Sequence, residues 1–145
     1  MGRVVAIDLG SKRIGVAASD PTRMLASPYE VVQRRGSREG DHRAIAAIVA
    51  ELEADRVVVG LPIGLNGRDG PAARLIRSEF AELEKVLAPT PVELFDERFT
   101  TVTANQSMIE RNMRADARRR VVDKVAAAVL LQHWLEVNAD STMPS

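Results

Sequence analysis

The run Val4-Val5-Ala6-Ile7-Asp8-Leu9-Gly10-Ser11, with Ile14-Gly15-Val16-Ala17 close behind, constrains the fold more than any other stretch. An apolar run ends in a carboxylate, the chain turns at a glycine, and a second apolar run begins. β-branched residues favour strands, and a run apolar on both faces belongs in the middle of a sheet. Asp8 then leaves a central strand into surroundings that disfavour a lone charge, so its carboxylate calls for a cation or a ring of donors. An Asp ahead of a glycine can also be a plain turn cap. Acids further along the chain favour the chemical reading.

A chain of 145 residues fits one domain with a real core. Lys plus Arg equals Asp plus Glu at 20 each, so any polyanion site must come from local clustering. Aromatic residues make up only 3%, which argues against the stacking platforms of single-strand binders. The absence of cysteine excludes a disulfide framework and a thiolate metal site, and fits a reducing compartment. The N-terminus lacks a basic-then-apolar signal pattern, and no apolar stretch approaches the length of a membrane span. A soluble cytoplasmic protein is expected.

Residues 3–9 and 13–18 read as an antiparallel hairpin, and Met24–Gln33 holds a third strand that Pro28 marks as an edge or a bulge. Arg34–Asp41 is a polar loop. From His42, the residues Ile45, Ile48, Val49 and Leu52 recur at helical spacing. Arg56–Leu61 is an apolar strand stopped by Pro62, and Gly64–Gly70 is a glycine-rich loop. Pro71 opens a helix at a position where its missing N–H costs nothing, with Leu75, Ile76, Phe80, Leu83 and Leu87 as its apolar stripe. Val92–Phe95 is a fifth strand, followed by a helix over Thr101–Ile109 and a final helix over Val121–Val137. The domain covers residues 1–137, and residues 138–145 form a disordered tail. Two hairpin connections followed by strand–helix alternation predict a mixed α/β sheet of five strands with helices on both faces.

Asp96-Glu97-Arg98 follows the fifth strand directly. Sites in open α/β sheets gather at the carboxyl ends of parallel strands, so this pair and Asp8 can face one crevice. Alternation sends Asp96 and Glu97 to opposite faces. Which one points inward stays open, and the longer stem favours Glu97. Helical spacing sets Asp123 on a stripe with Ala126, Ala127, Leu130 and Trp134, where a carboxylate is costly unless something binds it. Oxygen ligands without cysteine suit Mg²⁺ or Mn²⁺. Each acid also has a plain reading: Arg98 neutralising a neighbour, or Asp123 favoured by the helix dipole.

These segments together resemble the YqgF/RuvX family of bacterial nucleases. The resemblance rests on Asp8-Leu9-Gly10-Ser11-Lys12-Arg13-Ile14-Gly15-Val16-Ala17, Ser19-Asp20, Gly60-Leu61-Pro62, Gly67 with Gly70-Pro71-Ala72, Asp96-Glu97-Arg98 with Thr100-Thr101, and Val122-Asp123-Lys124-Val125-Ala126-Ala127. It runs from about residue 3 to 136. It implies a ribonuclease H-like fold with strand order 3-2-1-4-5. It also implies a metal-dependent nuclease proposed to mature the precursor of 16S ribosomal RNA, with Holliday junction resolution as the family's other proposed activity. By motif match Asp8, Glu97 and Asp123 become the catalytic, metal-holding acids. Gly60-Leu61-Pro62 supplies no acid from the fourth strand, and Lys124 stands where many such enzymes carry a further acid.

Basic residues cluster at Arg111, Arg114, Arg118, Arg119 and Arg120, and at Arg34, Arg35 and Arg38. Such clusters neutralise phosphates largely without regard to sequence, although a solvated surface loop is the plain alternative. Lys12, Arg13, Arg98, Arg118, Arg119 and Arg120 are the expected substrate-binding residues. Alternation lets only one of Lys12 and Arg13 face the crevice. His42 and His133 read as structural. The expected partner is nucleic acid, either precursor rRNA or branched DNA, with the ribosome a further candidate and the chain a monomer or a homodimer. Two rivals share these residues. The opening motif also begins the phosphate-binding domain of the sugar kinase and actin superfamily, which needs a second domain. A non-catalytic RNA- or ribosome-binding module would keep the arginines and tolerate loss of the acids.

Overall fold

The computed structural model describes residues 2–62, 70–96 and 115–142, and within the last span the side chains of residues 125–138. β1 (Val4–Leu9) and β2 (Arg13–Ser19) form the expected antiparallel hairpin, with Asp8 opposite Gly15 and Leu9 opposite Ile14. The Gly10 N–H bonds both the Asp8 carbonyl at 3.1 Å and the Arg13 carbonyl at 3.0 Å. A Cβ on Gly10 would stand 2.4 Å from the Arg13 carbonyl oxygen, so the turn closes only around glycine.

β3 (Ala26–Gln33) pairs with β2 and forms the sheet's edge. Val16 faces Glu30 and Ala17 faces Pro28, so Tyr29 is the extra residue of a bulge. α1 (Arg38–Glu51) begins before His42, because the Ser37 hydroxyl caps it by accepting the Gly40 N–H at 3.3 Å. Its charged first turn hides that start from a search for apolar periodicity. β4 (Arg56–Leu61) lies parallel to β1, α2 (Pro71–Leu87) starts at its proline, and β5 (Val92–Asp96) lies parallel to β4. The order β3-β2-β1-β4-β5 is the one expected.

The two faces of the sheet carry separate cores. Val5, Ile7, Ile14, Val16, Val57 and Val59 face Ile45 and Ile48 of α1 and Ala73, Ile76 and Leu83 of α2. Each fully buried branched side chain contributes about 1.5–3 kcal/mol by leaving water. The opposite face is lined by smaller residues. Val4, Ala6, Ala17 and Val58 meet Ala127, Leu130, Leu131 and Trp134 of α3 (Ala115–Thr142), which lets that helix lie close to β1 and β2.

The other two helices also differ from expectation. On α2, Leu75 is 63% exposed, and Glu79, at 5%, takes an inward position among Ala73, Ile76 and Leu83. α3 starts at Ala115 instead of Val121 and continues to Thr142, into the stretch read as a tail. Its first turns hold alanine and arginine, which favour helix without showing an apolar period. The helix expected over Thr101–Ile109 and, but for Gly70, the loop expected over Gly64–Gly70 lie outside the described residues. Among the described residues, no helix is long and apolar enough to cross a membrane.

Candidate active site at the carboxyl end of the central strands

Asp8 is half-buried at the carboxyl end of β1, the middle strand of the sheet. Val4 and Ala6 pack under α3, so strand alternation turns Asp8 toward the same face. Its neighbours on both sides are glycines. Gly15 stands opposite it on β2, and the next step of the β1–β4 register sets Gly60 beside it. A side chain at either glycine would project onto the α3 face next to the carboxylate. Both glycines are buried, so the bare backbone allows close packing over the sheet next to the carboxylate. This floor is a feature the sequence reading missed, although both glycines interrupt apolar runs and so carried a signal.

The turn beside Asp8 is tied to the opposite face of the sheet. Arg34 donates from Nε to the Gly10 carbonyl at 2.7 Å, and its own N–H bonds the Lys12 carbonyl at 3.0 Å. Its guanidinium grips Glu79 with two bonds, Nη1 to Oε2 at 2.9 Å and Nη2 to Oε1 at 2.8 Å. Asp41 lies 3.3 Å from Nη1, and the buried His42 donates from Nε2 to Glu79 Oε2 at 2.8 Å. Burial pushes the Glu79 carboxyl up, but the bonds from Arg34 and His42 outweigh it and hold the group below its ordinary value. Arg34, read from sequence as a loop cation for phosphate, is thus an internal brace. His42 is structural, as expected.

Strand parity separates the two basic residues of the turn. Arg13 shares the face of Gly15 and Ala17, which is Asp8's face, whereas Lys12 is exposed in the turn itself. Asp96 stands in register with Leu61, whose side chain belongs to the core under α1 and α2. Parity therefore turns Asp96 away from Asp8. Phe95, on the α3 face, meets His133 of α3 edge-on with ring centroids 6.0 Å apart, which fits the structural reading of that histidine. Asp123 and Arg118, Arg119 and Arg120 fall within α3, on stretches whose side chains are not described, and Glu97 and Arg98 lie outside the described residues. Among the described residues, no three His, Asp or Glu side chains gather to hold a metal ion. Asp8 is the one proposed ligand described at side-chain level. Its hard oxygen donors suit a small divalent cation.

A family model described as "RuvX: Holliday junction resolvase" matches residues 2–137. Proteins provisionally named as pre-16S rRNA nucleases are similar over most of their length. One from Mycobacterium sp. (strain KMS) is 47% identical over 135 residues, covering 93% of this chain and 80% of the relative. One from Streptomyces coelicolor is 46% identical over 143 residues, covering 99% and 85%. Among solved structures, Thermus thermophilus RuvC in complex with a Holliday junction substrate superimposes with a TM-score of 0.62. It is 16% identical, with 98% of this chain and 97% of that one covered, so the likeness is one of fold.

Proposed function

The chain belongs to the RuvX family, and from that premise we propose that it is a metal-dependent nuclease that hydrolyses phosphodiester bonds in maturation of the precursor of 16S ribosomal RNA. The observation that carries this reading is Asp8, half-buried at the carboxyl end of the central strand between two glycines, on the face covered by the helix that includes Asp123. Asp96 turns to the other face, which favours Glu97 as the acid from the end of β5. Asp8, Glu97 and Asp123 would hold Mg²⁺ or Mn²⁺. The ion, when bound, polarises the phosphodiester and lowers the pKa of the attacking water. Arg13 on Asp8's face, together with Arg98, Arg118, Arg119 and Arg120, neutralises phosphates along the strand, and the Arg34 brace keeps the turn next to Asp8 in one geometry. The protein acts in the cytoplasm.

The family's description favours a second reading, resolution of four-way DNA junctions, which would need paired sites in a two-fold dimer. One experiment separates the readings. Wild type and Asp8→Asn are compared on precursor 16S rRNA and on a four-way DNA junction, with Mg²⁺, Mn²⁺ or EDTA, and the oligomeric state is measured on each substrate. Precursor cleavage that needs the metal and falls by orders of magnitude in Asp8→Asn supports the proposal. Cleavage of the junction alone, by a dimer, favours the second reading. Equal cleavage by the variant ends the metal mechanism, and binding without cleavage leaves a non-catalytic module.

A further inference from the structure

The β1–β2 turn has a second side. Opposite the face of Asp8, an open groove of about 490 Å³ runs between the turn, the end of β3 and the start of α1. Its lining includes Ser11 and Lys12 from the turn, Arg34 after β3, and Ser37 and Arg38 at the start of α1. The groove's one carboxylate, Asp41, is 4% exposed and turned inward, 3.3 Å from Arg34 Nη1 and 3.3 Å from the Arg35 N–H. Arg34 is held by Glu79 and Asp41 and forms the floor. Arg13 also lines the groove, but strand parity gives its side chain to Asp8's face, so the cations that meet a ligand here are Lys12 and Arg38. Lys12 is exposed, and its ammonium has no polar partner among the described residues. Arg38 pairs with Glu82 across the surface, a contact between side chains 39% and 53% exposed. An exposed pair of this kind is weak and exchanges readily for a stronger anion.

We propose that this groove is a second phosphate-binding subsite, in which Lys12 and Arg38 take a backbone phosphate of the nucleic-acid strand on the far side of the turn from Asp8. The inference rests on the nuclease reading and extends it. Two observations favour a strand over a small anion. The groove adjoins a second cavity of about 340 Å³ that shares Ser11, Arg34 and Arg38 and extends past Gly10 to the exposed Leu75 on α2, so the channel is longer than one phosphate. Lys12 also belongs to the same short turn as Arg13, which serves Asp8's face, so a strand crossing the turn meets a cation on each side. The turn is prepared for this contact. Arg34 fixes the carbonyls of Gly10 and Lys12, on either side of Ser11, so little backbone freedom remains to be lost on binding.

The test uses the full chain with Asp8→Asn throughout, so that binding is read without cleavage. A labelled single-stranded RNA is titrated in Mg²⁺ at several salt concentrations, with and without Lys12→Gln and Arg38→Gln. Removing one cation that neutralises a phosphate of a single strand lowers the slope of log K against log salt by about 0.7, so the double variant should fall by about 1.4. Arg43→Ala, an exposed change further along α1, should leave the slope unaltered. Both single variants remove surface charge only, and a thermal melt checks that each is folded. A slope that stays at its starting value in a folded double variant overturns the subsite and leaves the nuclease reading standing. Inorganic phosphate that competes fully with RNA at millimolar concentration overturns it in favour of a small-anion pocket. If the chain neither binds RNA nor cleaves it in wild-type form, both readings fall together.

Discussion

Replacing Glu79 with glutamine keeps the shape of the brace and removes its charge. Glu79 accepts bonds of 2.8 and 2.9 Å from Arg34 and one of 2.8 Å from His42. The amide can accept at one atom only, and its NH₂ then faces either the guanidinium or the imidazole. Arg34, whose side chain is 16% exposed, keeps its charge, with Asp41 at 3.3 Å and the Gly10 carbonyl as remaining partners. Removing one member of a buried pair costs about 3–5 kcal/mol, and these remaining partners set the expectation near about 3 kcal/mol. For 145 residues the unfolding entropy is about 0.3 kcal/mol per kelvin, so Tm should fall by about 10 °C at neutral pH. The pH dependence has a definite sign. The folded Glu79 pKa lies below its ordinary value of 4.5, so the stabilisation is complete above that value. It is lost as pH falls through the folded pKa, and wild type and variant should converge in acid. Circular dichroism melts across pH 3–8 (an approximate window set by the ordinary carboxylate pKa) measure both effects. A drop of only ~2 °C at neutral pH, or a gap that widens on acidification, would refute this account of the brace. Replacing both partners, Arg34→Met with Glu79→Leu, should recover only part of the loss, because the buried Asp41 and His42 then lose their contacts with Arg34 and Glu79.

Gly10→Ala puts a methyl where 2.4 Å separates it from a backbone oxygen, so the turn must open; the expected cost is about 2 kcal/mol with a steep loss of cleavage, and an unchanged melt together with full activity would contradict the closed turn. Asp20 accepts the N–H groups of Leu25 and Met24 and the Thr22 hydroxyl, and these bonds, that of Leu25 foremost, lower its pKa to about 2. A carboxyl-detected NMR titration should therefore show its midpoint near that value, with the loop's bonds intact above the ordinary carboxylate range and lost as pH falls toward 2; a midpoint close to 3.8 would show the bonds to be absent in solution. Replacing Arg118, Arg119 and Arg120 together with alanine should flatten the salt dependence of RNA binding by up to about 2 units of slope, and an unaltered slope removes that segment from the substrate path.

Much of the sheet was legible because its strands are apolar runs closed by glycine or proline. Arg56–Leu61 ends at Pro62, and Pro71 marks the first residue of α2. Pro28 marked an edge or a bulge, and the structure has both. Asp8 stood out for the same reason, as a charge at the end of such a run. The brace did not. Arg34 and Glu79 are 45 positions apart, and nothing local distinguishes a buried arginine from a solvated one. That pairing also explains why Leu75 points outward, since α2 turns Glu79 toward the core to meet Arg34. The division of labour between Lys12 and Arg13 depended on hairpin register, which a one-residue shift would reverse without changing the motif.

The outer rim of β3 bears on how two copies of this chain can meet. Pro28 offers no N–H there, and the bulge at Tyr29 breaks the regular spacing of donors and acceptors. Side-by-side joining of two sheets into one continuous ribbon is therefore disfavoured at that border. A self-assembled pair that leaves both sheet borders, β3 and β5, unjoined meets through helix surfaces or through the loops around the catalytic mouth. The distance between its two cutting centres would then follow from helix packing, and exchanging residues on α3 would retune which branched or looped substrates such a pair can span.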